Sequence, residues 1–241
     1  MNEKAIYNVY ADLHTHTYYS HGIGSPRENV LAAIDRGLER ICVSEHGPGH
    51  FSFGVRGKKL EALNSEMLSL RKEFESKIDV LRGLELNVMG FGSSDAPDDR
   101  DAYDFIIIGY HKSVPPFNKI ALHIWGESLL GIGSDPRRNA ECILAAAESC
   151  RANAISHPGL YLAVDVPYMA KCCRQLGILM EVNSSRVTLS REELIAVKAE
   201  GCGLIIGSDA HSPERVGDFK LASDAVTQAD CWDIVANARR I

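Results

Sequence analysis

Short, β-rich apolar runs recur at residues 6–14, 40–44, 79–87, 105–110, 152–156, 178–182 and 203–207, with amphipathic stretches between them. Several are apolar at nearly every position, Phe105-Ile106-Ile107-Ile108 most clearly. Strict alternation would mark a strand wet on one face. An unbroken apolar run marks a strand buried on both, as in a parallel sheet under helices. The intervening stretches predict helices. Ser25 caps the first, Pro26 suits its first turn and Gly37 ends it. Further helices are predicted over 58–75, 136–150, 167–176, 190–200 and 219–227. In the fifth of the six, Ser190-Arg-Glu-Glu193 has capping-box spacing and Gly201 stands at the stop.

Strands alternating with helices predict a βα-repeating α/β fold. About seven strands fit a TIM-like barrel one strand short of the usual eight, and an open doubly wound sheet is the alternative. The Gly-rich dinucleotide fingerprint of such open sheets is missing. Two segments break the rhythm. Residues 90–101 are rich in Gly, Ser and Asp and read as a flexible surface loop. Residues 113–135 follow the fourth strand and hold Pro115-Pro116, His123 and Trp125. Long loops at strand carboxyl ends tend to carry substrate contacts.

Composition narrows the function classes. A chain of 241 residues, 45% of them hydrophobic, can bury one core, and residues 1–241 are expected to form a single domain. The formal net charge of −6 argues against a broad basic surface for nucleic acid. The densest basic cluster, Arg56-Gly-Lys58-Lys59, reads as a loop entering a solvated helix. Seven cysteines include no Cys-x-x-Cys pair, and most sit inside apolar runs, where a free buried thiol is expected. The vicinal Cys172-Cys173 is expected to pack rather than to serve redox chemistry. No secretory leader or membrane-length apolar run is visible, so a soluble, reducing, cytoplasmic setting is expected.

The chemistry lies at the strand ends. His14 and His16 follow the first strand, Glu45-His46 the second, and Glu85 lies near the end of the third. His111 follows the fourth, His157 the fifth, and Asp209-Ala-His211 the seventh; His21 sits in a Gly-bounded loop. Carboxyl ends of parallel strands converge on one face of a barrel, so residues far apart in sequence would meet in one bowl. One residue separates His14 from His16, and one separates Asp209 from His211. On an extended strand such pairs point to the same side and can share a cation. Seven imidazoles and two carboxylates exceed what one ion needs. Two or three ions sharing Glu85 or Asp209 account for them, and zinc, manganese or iron suits these donors. Asp12 is expected to orient a ligand imidazole through its free nitrogen. Arg186, after the sixth strand, and Arg215 are candidate phosphate clamps, with Arg56 a weaker third. His50-Phe51-Ser-Phe53 either lines the entrance or anchors its rings in the core. No Gly-x-Ser-x-Gly elbow supports a hydrolytic triad.

These pieces, taken together, resemble the PHP (polymerase and histidinol phosphatase) domain family. They are Asp12-Leu-His14-Thr-His16, Ser20-His21-Gly22, Ser44-Glu45-His46-Gly47, Gly83-Leu-Glu85-Leu-Asn87, Gly109-Tyr-His111, Ser156-His157-Pro158 and Gly207-Ser208-Asp209-Ala-His211. They run in family order across nearly the whole chain. The resemblance implies a distorted (β/α)7 barrel and hydrolysis of phosphate esters by hydroxide generated at a trinuclear site. It places His14, His16, Glu85 and Asp209 around one metal, Glu85 with His111 and His157 around a second, and His21, His46 and His211 around a third. It departs from the family where Glu45 and His21 stand, since relatives often carry Asp at both. The catalytic set is then His14, His16, Glu85, His111, His157, Asp209 and His211. The expected partner is a small phosphorylated monoester, with no long nucleic acid and no membrane. Beside this reading stand a histidinol-phosphate phosphatase, a nucleotide or nucleic-acid-end phosphoesterase, and a non-catalytic metal-binding module.

Overall fold

The computed structural model describes residues 6–112, 114, 122, 126–127, 129–130, 133 and 135–241. Ten strands are described: β1 Tyr7–Val9, β2 Ala11–Thr15, β3 Arg40–His46, β4 Asp79–Gly90, β5 Ser93–Ser94, β6 Phe105–Gly109, β7 Ala154–Ile155, β8 Leu179–Asn183, β9 Leu204–Gly207 and β10 Ala238–Arg240. The described α-helices are α1 Pro26–Asp35, α2 Lys58–Phe74, α3 Pro136–Ser149, α4 Val166–Leu176, α5 Arg191–Ala199 and α6 Lys220–Gln228.

Seven strands run parallel in the order β2-β3-β4-β6-β7-β8-β9. The ends of that sheet approach each other: Thr15 bridges Ala210, and the His16 N–H donates to the Ala210 carbonyl at 2.8 Å. The result is a nearly closed α/β barrel. Its strand residues alternate as the pleat requires. Ile106 and Ile108 of β6 face the helix layer, whereas Ile107 joins Cys42, Ala154 and Ile205 in a small apolar cluster inside the barrel. On β4, Leu84, Leu86 and Val88 go outward, which turns Glu85 and Asn87 inward.

The predicted helix signals act as read. Ser25 and Ser190 each close a capping box, with Glu28 and Glu193. Gly37 and Gly201 take positive φ just past their helices. Three differences stand out. The first apolar run breaks at Tyr10, and its front half, β1, leaves the barrel to pair antiparallel with β10 across the chain ends. Amphipathic spacing gave no warning of β10, because a three-residue edge strand has no periodicity to read. The segment 90–101 is less free than its composition suggests. Ser93–Ser94 adds to β4, and Asp95 accepts the N–H groups of Asn87 and Gly49, each at 2.7 Å. All seven cysteines are free thiols, and all but Cys172 are buried. No helix among the described residues is long and apolar enough to cross a membrane.

Candidate metal centre

Strand geometry brings all nine predicted ligands to the carboxyl end of the barrel. Glu85 is the hub. Its Oε1 lies 2.8 Å from His157 Nε2, 3.2 Å from His111 Nε2 and 3.5 Å from His14 Nε2. Its Oε2 lies 3.0 Å from His46 Nδ1 and 3.5 Å from His16 Nε2. Asp209 Oδ1 sits 3.4 Å from His16 Nε2 and 3.6 Å from His14 Nε2. His14 and His16 turn their Nε2 atoms towards each other at 3.1 Å, and His21 and His211 do the same at 2.6 Å. His16 is the common member: its ring centre lies 4.7 Å from those of both His46 and His211.

Two of the predicted ligands take backbone conformations that L-residues avoid. His157 has φ +28° and Asp209 φ +50°. Such strain persists where the surroundings over-determine it, and here it turns each side chain in from the end of its strand. Two glycines make room beside them. A Cβ on Gly109 would run into Ser156 Oγ and the His157 ring, and one on Gly207 into Glu181 Oε1 and His14 Cβ.

A row of buried partners holds the candidate ligands. Glu181, fully buried on β8, accepts from His14 Nδ1 at 2.7 Å through Oε1 and from the His157 N–H at 2.8 Å through Oε2. Asn87 Oδ1 lies 2.7 Å from His111 Nδ1. Asn183 Nδ2 donates to Asp209 Oδ2 at 3.2 Å. Glu45 faces His16 Nδ1 at 3.7 Å and binds the Thr17 N–H at 2.9 Å, along with the Thr17 and Ser20 hydroxyls. The orienting role expected of Asp12 is thus corrected. Its carboxylate accepts the Gly217, Ser208 and His14 N–H groups at 2.8, 3.1 and 3.4 Å, which pins the two ends of the barrel sheet. Glu181 and Asn87 do what was expected of Asp12. Glu181 escaped sequence reading because it sits in mid-strand, two residues before Asn183, with nothing local to mark it. Inward-facing parity with Asn183 was the available signal.

The donor set fits cations. Buried imidazoles whose Nε2 atoms face each other, with carboxylates beside them, need a shared proton or a metal to offset lone-pair repulsion. His46 Nδ1 is buried and, although close to Glu85, lies off the line of any hydrogen bond. Several donor triples, His14/His16/Glu85, His46/Glu85/His111, His16/Asp209/His211 and His16/His21/His46, each have their donor atoms within 4.8 Å of one another. Electrostatics divides the site. Burial resists a charge on His14, but Glu181, Glu85 and Asp209 outweigh it and raise its pKa well above the ordinary value. His21 goes the other way, down to about 3, through burial and through its neighbours His16 and His211. Burial also dominates at His46, which is lowered despite Glu85. For Glu85 burial is overcome by His111, His14 and His46, which hold its carboxyl well below the usual range.

Above the ligands lies a cavity of about 240 Å³, lined also by His50, Phe53, Lys112, Leu160 and Tyr161. The His50–Phe53 stretch divides between its two readings. His50 is buried and stacks on His46 at 4.6 Å, Phe53 stacks on His21 at 4.4 Å, and Phe51 stands in solvent. Arg186 and Arg215 do not line the cavity. Arg186 is exposed beyond a turn that Asn183 Oδ1 fixes, and Arg215 pairs with Asp218 at 2.9 Å. Arg56 is tied to the His50 and Phe51 carbonyls, both at 3.2 Å. His123 and Trp125, read as possible contacts to a leaving group, lie outside the described residues.

The family model described as PHP domain matches residues 12–220. The chain belongs to the PHP domain family. This PHP domain is 29% identical over 240 residues to a protein of Thermoanaerobacter sp. (strain X514) named "Probable phosphatase", covering 94% of this chain and 89% of that one. It is 26% identical over 228 residues to the DNA polymerase/3'-5' exonuclease PolX of Bacillus subtilis (strain 168), covering 90% of this chain but 37% of that one. In fold it is similar to a histidinol phosphate phosphatase of Lactococcus lactis subsp. lactis, solved with zinc, L-histidinol and phosphate. That match has TM-score 0.60 and 18% identity, and covers 92% of this chain and 94% of the other.

Proposed function

We propose that this PHP domain is a metal-dependent phosphatase that hydrolyses small phosphate monoesters at a site for three divalent ions. The convergence of nine candidate donors, with Glu85 in contact with five of the imidazoles, carries the reading. The family resemblance implies three sets, His14, His16, Glu85 and Asp209; Glu85, His111 and His157; His21, His46 and His211, and the close donor triples around His16 and Glu85 support several ions rather than one. Ions held there would acidify a bound water and neutralise phosphoryl oxygens. The protein's own part is positional. Glu181, Asn87 and Asn183 fix the ring tautomers and the carboxylate, so the donors need not reorganise as charge develops.

The cavity supports a small substrate. A volume of about 240 Å³ lies below the roughly 300–1,000 Å³ of pockets for drug-sized ligands, which suits a compact ester. Net charge of −6 opposes a polymer track. Support also comes from the relatives named phosphatase and from the L. lactis structure, solved with zinc and phosphate. The test is release of p-nitrophenol from p-nitrophenyl phosphate by metal-stripped protein, before and after manganese, zinc or iron is returned. Metal-restored turnover is expected, and His111→Ala or Asp209→Ala should abolish it. Turnover of the stripped enzyme, or full activity in either variant, would overturn the assignment.

A further inference from the structure

A phosphate monoester brings a dianion to this cavity, and the arginines nearest in sequence to the ligands lie elsewhere. Among the described residues, the one Lys or Arg side chain lining the cavity is Lys112. It directly follows His111, so its backbone is anchored beside a residue that touches Glu85 at 3.2 Å. Its Nζ lies 5.0 Å from the centre of the Tyr161 ring. Tyr161 comes four residues after His157, which touches the same Glu85 oxygen at 2.8 Å. Lys112 and Tyr161 therefore stand at the ends of adjacent strands, β6 and β7, on one side of the cavity mouth. No Asp or Glu lies within ion-pair distance of Lys112 among the described residues, whereas Arg215, Arg137 and Lys198 are each paired with a carboxylate. The ring face holds the ammonium electrostatically but does not neutralise it. An ammonium so placed has its three N–H donors free for an incoming anion.

The geometry points to Lys112 as the residue that recognises the substrate's phosphate, with Tyr161 as its positioning residue. The inference rests on the phosphatase reading above and narrows it. An ammonium gains more from a dianion than from a monoanion, so Lys112 selects monoesters over diesters.

The experiment uses the metal-loaded full chain, with p-nitrophenyl phosphate and bis-p-nitrophenyl phosphate as substrates. Inorganic phosphate binding is read by calorimetry. Lys112→Ala should raise KM for the monoester and Kd for phosphate about tenfold, the factor that 1.4 kcal/mol carries, with bound metal unchanged. The monoester-to-diester preference should shrink by a similar factor. Lys112→Arg should restore most of the loss. Tyr161→Leu should weaken phosphate binding about threefold, by loss of the ring face, and Tyr161→Phe, which keeps the ring, should recover most of that loss. Phosphate Kd unchanged within about twofold in Lys112→Ala, in a wild type that turns over monoester, overturns the inference and leaves the phosphatase reading standing. A wild type without turnover that binds phosphate through Lys112 upholds the recognition and overturns the phosphatase. Neither turnover nor phosphate binding in the wild type overturns both.

Discussion

Glu181 shows how much of the site depends on residues that touch no substrate. One buried carboxylate spans two candidate ligands, receiving His14 Nδ1 on one oxygen and the His157 N–H on the other. Loss of such a partner typically costs 10–100-fold in metal affinity or activity. Glu181→Gln should lower metal affinity by roughly that factor, read by competition with a coloured chelator. Wild-type affinity would show that the imidazole orients itself. A second prediction concerns protons at His16. Burial resists charging it, but Asp209, Glu45 and Glu85 push its pKa up to about 9 in the metal-free protein. Raised above the ordinary value of 6.5, this group stabilises the metal-free fold fully below about pH 6.5 and loses that contribution as pH rises through about 9. A metal must displace that proton, so uptake near pH 7 should release protons. Calorimetry in buffers of different ionisation enthalpy would detect the release; a buffer-independent heat would contradict it.

At the scale of elements, the loops above the strands are fastened by single side chains. Asp95 accepts the Gly49 N–H, the Asn87 N–H and the Asn87 amide, and so ties the loop after β3 to β4 and its short partner β5. Asp95→Ala strands those donors, and each buried donor left unsatisfied costs about 1–3 kcal/mol. The variant should unfold at lower urea concentration by that order, with His111 losing support through Asn87. An unchanged midpoint would mean that water replaces the carboxylate. The helices follow a different logic, because their ends are written locally. Ser25 with Glu28 and Ser190 with Glu193 cap themselves, so α1 and α5 begin where the chain says.

For the molecule as a whole, the barrel closes around its own charge. Residues of β2 to β4 and β6 to β9, or just beyond them, supply the candidate donors and their partners, so filling the site with metal should stiffen all of them together. Metal removal should lower the thermal midpoint, and returning metal above its Kd should restore it in a concentration-dependent way. A midpoint indifferent to metal would argue against binding by the folded state. Within the barrel, Ile107 is fully buried beneath the ligands. Ile107→Ala should cost about 2–5 kcal/mol, seen by chemical denaturation.

Sequence by itself determined the alternation of strands and helices, the start of each capped helix and the nine side chains that are candidates to hold metal. Those features are local: a pleat, a turn of helix and a His-x-His pair are written within a few residues. Tertiary structure alone decided which strands became neighbours, where the first apolar run broke, and that Glu181 rather than Asp12 steadies the His14 ring. It also moved Arg186 and Arg215 away from the cavity and brought Lys112 and Tyr161 to its rim. The physical reason is one of distance. Hydrophobic patterning fixes which face a side chain takes, but contacts between residues of different strands arise only when the barrel closes and sets their register.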